Sequence, residues 1–115
     1  MVKDYTPERG DVVWITFGKT KGHEQRGRRP ALVLSVSSYQ IASELAVVCP
    51  ITSNIKPYPF VVEIHGKKIH GAILTDQVQS VAWRERRTEY IEKAGVPVLL
   101  DVVKHIVKLV GIKSF

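Results

Sequence analysis

The run VVWITFGKTKGHEQRGRRPALVLSV, residues 12–36, decides the fold. Its first six residues alternate: Val12, Trp14 and Thr16 fall on one face of an extended strand, Val13, Ile15 and Phe17 on the other. β-branched and aromatic side chains dominate both faces, which favours a strand. Residues 18–30 then hold three glycines and a proline among charged side chains, a composition that argues for a solvated loop. A loop of that length in a small domain is usually functional. Residues 31–36, ALVLSV, read as a buried strand.

Outward from this run, residues 37–43 read as a short turn or helix. Residues 45–51 read as a second core strand stopped by Pro50, and 52–57 as a polar loop. Further strands are expected over 60–64, 69–74, 78–83 and 88–93, with a hairpin tip at 65–68 and Thr75, Asp76 and Gln77 between two strands. The period changes at the C-terminus. Between Pro97 and Val110 the polar residues Asp101, Lys104, His105 and Lys108 make a narrow wet stripe on an otherwise apolar helix, which Pro97 opens and Gly111 ends. Such a helix must lie deep on a sheet or against another chain. The expected class is therefore mostly β with a C-terminal helix, a small barrel with the helix packed on it. Trp14 and Trp83 stand at apolar strand positions and are assigned to the core. Cys49, after Val47 and Val48, reads as a buried inert thiol.

At 115 residues the chain fits one domain, 1–115, with too little left for a second core. One cysteine permits no intrachain disulfide, which excludes a disulfide-stapled secreted scaffold and fits a reducing compartment. No stretch approaches the roughly 18 apolar residues of a membrane span, and the first residues show no apolar signal core, so the expected location is cytoplasmic. The formal net charge is +6. A net +4 of it lies among Lys19, Lys21, Glu24, Arg26, Arg28 and Arg29, and a net +2 among Arg84, Glu85, Arg86 and Arg87. Cations so concentrated suit a polyanionic partner.

Several motifs, in order, carry a resemblance. They are Gly10-Asp11-Val12-Val13-Trp14, Gly22-His23-Glu24-Gln25, the run from Gly27-Arg28-Arg29-Pro30 to Ser35, Pro50-Ile51-Thr52-Ser53, Tyr58-Pro59-Phe60, the run from Leu74-Thr75-Asp76-Gln77 to Ser80, and Trp83-Arg84. On these residues the chain resembles the MazF/PemK family of toxin endoribonucleases of type II toxin–antitoxin systems. The resemblance implies an SH3-like barrel and a homodimer. It implies metal-independent, sequence-specific cleavage of single-stranded RNA that inhibits translation, and inhibition by a cognate antitoxin with an acidic segment. By position it marks Arg29 and Thr52 as the catalytic pair and Glu24 as a further acid needed for activity. Gln79 stands where relatives can carry a lysine, and His23 where a smaller polar residue is common.

The residues themselves are consistent with that chemistry. No HExxH, zinc-spaced Cys/His array or close carboxylate cluster points to a metal, so none is assigned. RNA then offers its own 2′-hydroxyl as nucleophile, to leave a 2′,3′-cyclic phosphate and a 5′-hydroxyl. That attack needs a base, an acid and positive charge on the phosphate oxygens, and it selects RNA over DNA. Arg29 suits the phosphate with a planar, permanently charged fork. Thr52 can hydrogen-bond the phosphate or leaving oxygen. Glu24 is either a base or the organiser of its loop's arginines. For RNA contact the expected residues are Lys21, Gln25, Arg26, Arg28, Ser53, Asn54 and Lys56, with Asp76 and Gln77 reading base edges and Tyr58 stacking. Arg86 and Arg87 read as backbone contacts or as docking points for the acidic segment. His65 and His70 read as exposed tip residues, and His105 as solvated. The alternative is a non-catalytic protein of the same fold, a binder of nucleic acid or a poison of DNA gyrase.

Overall fold

A computed structural model of the protein describes residues 5–18 and 27–111. In chain order the elements are β1 (Asp11–Phe17), β2 (Gly27–Val33), α1 (Ser37–Ser43), β3 (Ala46–Thr52), β4 (Val61–His65), β5 (His70–Leu74), a 3₁₀ turn (Thr75–Gln77), β6 (Gln79–Val81), β7 (Glu89–Lys93) and α2 (Val96–Val110). All seven strands join one antiparallel sheet with the order β4-β5-β3-β2-β1-β7. β3 is the branch point. Its first half pairs with β6 and its last two residues pair with β5, so the sheet splits and curls there into an open, barrel-like form.

The alternation in β1 builds two cores. Val12 pairs with Leu32, which pairs with Cys49; these join Ile51, Ile73, Ile91 and Val102 of α2 beneath one face. Val13, Ile15, Phe17, Ala31, Val33 and Val48 line the other face with Val81 and Trp83. Burial of these β-branched side chains is the main stabilising term, at about 25 cal/mol per Å² of apolar surface. Gln40 is a fully buried polar hub beside the second core. Its amide accepts from the Ser35 hydroxyl (2.6 Å) and donates to the Pro7 carbonyl, and its own carbonyl accepts from the Trp83 indole (3.2 Å). Asp11, also buried, ion-pairs with Lys93 and so ties the start of β1 to β7.

The prolines mislead a reading by composition. β2 begins at Gly27 and ends at Val33, so Arg28, Arg29 and Pro30 belong to a strand rather than to the expected loop. Pro30 lies opposite Trp14 of β1, beyond the last β3 pair at Ala31, where little cross-strand donation is asked of it. Likewise β3 runs through Pro50 to Thr52 instead of stopping. Its partner there is Ala31, in the short stretch before β5 takes over the other edge. Trp14 is a correction too. It is 38% exposed, because its face of β1 leaves the core beyond Val12; Trp83 is buried as expected.

The C-terminal helix forms over Val96–Val110, one residue earlier than the pattern gave, and Gly111 ends it. Val98, Leu99, Val102 and Ile106 pack on the first core, while Val96, Leu100, Val103, Val107 and Val110 are exposed. No helix among the described residues is long and apolar enough to cross a membrane.

Candidate RNA-cleaving site

Arg29 and Thr52 stand on neighbouring strands, just past the end of the β2–β3 ladder. β2 and β3 pair Leu32 with Cys49 and Ala31 with Pro50. Arg29 and Thr52 each lie two residues beyond that last pair: Arg29 pairs with Ile15 of β1 and Thr52 with Ala72 of β5. Thr52 ends β3 and Arg29 is the third residue of β2, so a paired backbone aims each side chain. Arg29 is half-buried. β5 fixes the other side of Thr52: Ala72 pairs with it, and Gly71 lets the two backbones close up. A Cβ on Gly71 would come within 2.4 Å of the Thr52 carbonyl oxygen, so a larger residue would push β5 away from the site. The Thr52 hydroxyl accepts the Asn54 amide at 3.1 Å, a local turn that leaves its hydrogen to donate outward.

Beside Thr52 lies an open depression of about 440 Å³ with Val61, Ala72 and Leu74 as an apolar floor. Asn54, Lys56, Tyr58, Asp76 and Gln77 stand around it. Five expected contact residues thus gather with Thr52, one member of the expected catalytic pair. Tyr58 donates its hydroxyl to Asp76 Oδ2, and that bond pushes the phenol above its usual value, so the phenol does not serve as a base near neutrality. The other carboxylate oxygen, Asp76 Oδ1, is buried and accepts no hydrogen bond from the described residues. Such an oxygen is an acceptor waiting for a donor.

A second open depression, about 460 Å³, flanks the pair on the side of β1. Arg28, Arg29 and Ser53 line it together with Trp14, Lys68 and His70. Arg28 reaches across β1, donating to Thr16 Oγ1 at 3.3 Å and to the Glu89 carboxylate. The reading of residue types missed Trp14, Lys68 and His70. The signal was present for Trp14, which alternates with Val12 and Thr16, but composition assigned it inward. Lys68 and His70 are distant in sequence, and only the β4–β5 hairpin brings them here.

Arg86 turns inward. It donates to the Thr16 carbonyl at 3.1 Å while its own carbonyl accepts from Thr16, clamping the 84–88 turn to β1. Lys21, His23, Glu24, Gln25 and Arg26 lie outside the described residues. Cys49 is buried, and burial pushes its thiol up to about 12, so it is no nucleophile at neutral pH. His65 is exposed at the hairpin and pairs with Glu63 at 3.2 Å. His105 is half-buried, with Nδ1 2.8 Å from the Asp101 carbonyl oxygen. Among the described residues no three His, Cys, Asp or Glu side chains converge as metal ligands would.

Comparison with known proteins places this geometry. The family of PemK-like, MazF-like toxins of type II toxin–antitoxin systems matches residues 8–110. The endoribonuclease toxin MazF of Escherichia coli K12 is 45% identical over 86 residues, which cover 75% of this chain and 78% of that one. The crystal structure of MazF from Deinococcus radiodurans superposes with a TM-score of 0.90 at 42% identity, covering 95% of this chain and all of the other. A MazE–MazF crystal structure from the same organism gives a TM-score of 0.83 at 38% identity, covering 96% of this chain and all of its counterpart.

Proposed function

The chain belongs to the family of PemK-like, MazF-like toxins of type II toxin–antitoxin systems, and from that premise we propose that it is an endoribonuclease that cuts single-stranded RNA by attack of the 2′-hydroxyl at the Arg29–Thr52 pair. The observation that supports this reading is that Arg29 and Thr52, each two residues past the last β2–β3 pair, line two open depressions. Arg29 holds the phosphate oxygens and the charge that grows on them in the transition state. Thr52 donates to the phosphate or the leaving 5′-oxygen. Both act mainly by electrostatics. Glu24 enters as the acid that takes a proton or orders its loop.

Asn54, Lys56, Asp76 and Gln77 form the base-reading wall, and Asp76 Oδ1 is the acceptor for a base amino or imino group. Cleavage of messenger RNA would stop translation, and the place of action would be the cytoplasm. As the related MazF is crystallised with MazE, this chain would be held by a cognate antitoxin whose acidic segment meets the same cations. A second copy would cover the exposed α2 residues Val96, Leu100, Val103, Val107 and Val110, whose 4-3-4-3 spacing makes one continuous apolar seam.

The test is cleavage of a long single-stranded RNA in excess EDTA. Discrete fragments ending in a 2′,3′-cyclic phosphate are expected. Loss of cutting in EDTA, or an intact shifted band, would overturn the mechanism in favour of a metal-dependent nuclease or a binder.

A further inference from the structure

The depression on the β1 side has an architecture of its own. One wall is Trp14, 38% exposed on a strand otherwise nearly buried. Arg28 stands beside it, and Lys68 faces them from the β4–β5 hairpin. No described carboxylate comes within ion-pair distance of the Lys68 ammonium. An exposed indole with cations at its rim matches a nucleotide, base on the ring and phosphate on the cations. Arg29 lines the depression too and so joins it to the proposed cleavage site.

β7 holds this wall in place with two glutamates. Glu89 pairs with Arg28. Glu92 reaches beneath the hairpin tip and accepts the backbone N–H groups of Lys67 (3.0 Å), Lys68 (3.1 Å) and Ile69 (2.8 Å). Gly66 makes room, since a Cβ there would fall 2.4 Å from Glu92 Oε2. Three residues apart, the two glutamates would point to opposite faces of a regular strand. A register shift corrects this: Glu92 pairs with Val12 and Glu89 with Trp14, Ile91 being the extra residue between. Both acids therefore serve the face that carries Trp14 and Arg28.

We propose that this depression is a nucleotide subsite that holds the RNA strand to one side of the scissile phosphate, with Trp14 stacking a flanking base, Lys68 and Arg28 taking its phosphate, and Glu92 positioning Lys68. The inference rests on the RNA-cleaving reading of the Arg29–Thr52 site. Its test is binding of a short single-stranded RNA that the protein cuts, made with a 2′-deoxy nucleotide at the scissile position, alone and extended by a few nucleotides on the 5′ or the 3′ side. One extension is expected to tighten binding about tenfold, the worth of one stacked base. Lys68→Glu and Trp14→Ala should each remove that gain. Lys104→Glu, an equal charge change on α2, should keep it. Absence of any gain in the wild-type protein, or a gain that survives both variants, overturns the subsite. So does a gain that survives while the variants lose only an acidic peptide, because the depression then belongs to a protein partner. If no RNA is cut, the Arg29–Thr52 reading fails on its own, and the same comparison on random RNA pools of two lengths still reads the subsite.

Discussion

The two depressions that flank the Arg29–Thr52 pair are of similar volume and opposite chemistry. The one beside Thr52 has an apolar floor, a phenol–carboxylate pair and an orphaned carboxylate oxygen. The one beside Trp14 has an aromatic wall and three cations, Arg28, Arg29 and Lys68. Directional acceptors discriminate between bases, whereas ring faces and point charges tolerate any base. On the proposed reading, one side of the site selects sequence and the other grips strand.

That contrast breaks first at its centre. Arg29→Ala should lower kcat/KM for RNA cleavage by roughly 10²–10³-fold, the usual cost of removing one donor aimed at developing negative charge. The melting temperature should move by a few degrees at most, since Arg29 is only half-buried. Cleavage within a few-fold of wild type would show that the phosphate is held elsewhere. On the selective side, Asp76→Asn exchanges an acceptor for a donor at a buried position. The preferred motif should be cut about tenfold more slowly, the worth of one buried hydrogen bond, and sequencing of cut ends should show other motifs gaining. An unchanged cleavage pattern would remove Asp76 from base reading.

The smallest effect concerns the gripping side. Burial raises the Glu92 carboxyl, but three backbone N–H donors and Lys68 outweigh it and hold the group below its ordinary value. A carboxyl depressed in the folded state stabilises above its unfolded value, about 4.3, and that contribution fades as pH falls through the folded value. Glu92→Gln should therefore melt a few degrees below wild type at pH 7, and the two curves should converge in acid. A constant difference down to pH 2 would mean that the ionised form is not what the hairpin needs.

Much of this was legible from residue types. The alternation in residues 12–17 gave a strand and two cores, and the late change of period gave the helix. The motifs around Thr52 and Asp76 named side chains that line one depression, and the motif around Arg29 one that lines the other. What was not legible depends on pairing. Pro30 and Pro50 read as breaks, yet each lies where its neighbouring ladder has ended or is about to change. Trp14 read as core because alternation says which face a side chain takes, not how far along the strand that face stays covered. Lys68 and Glu92 are 24 residues apart, and no local pattern announces a carboxylate beneath a hairpin.

The extra residue in β7 has a consequence for how this strand can vary. A strand is a two-phase object, in which each position is either up or down. Ile91 shifts that phase once, between Glu89 and Glu92. Loss of the bulge at constant length would turn one glutamate to the opposite face with no change in composition or charge, whereas deleting Tyr90 or Ile91 would leave both on one face of a regular ladder. Parity, as much as side-chain chemistry, is what this segment must preserve.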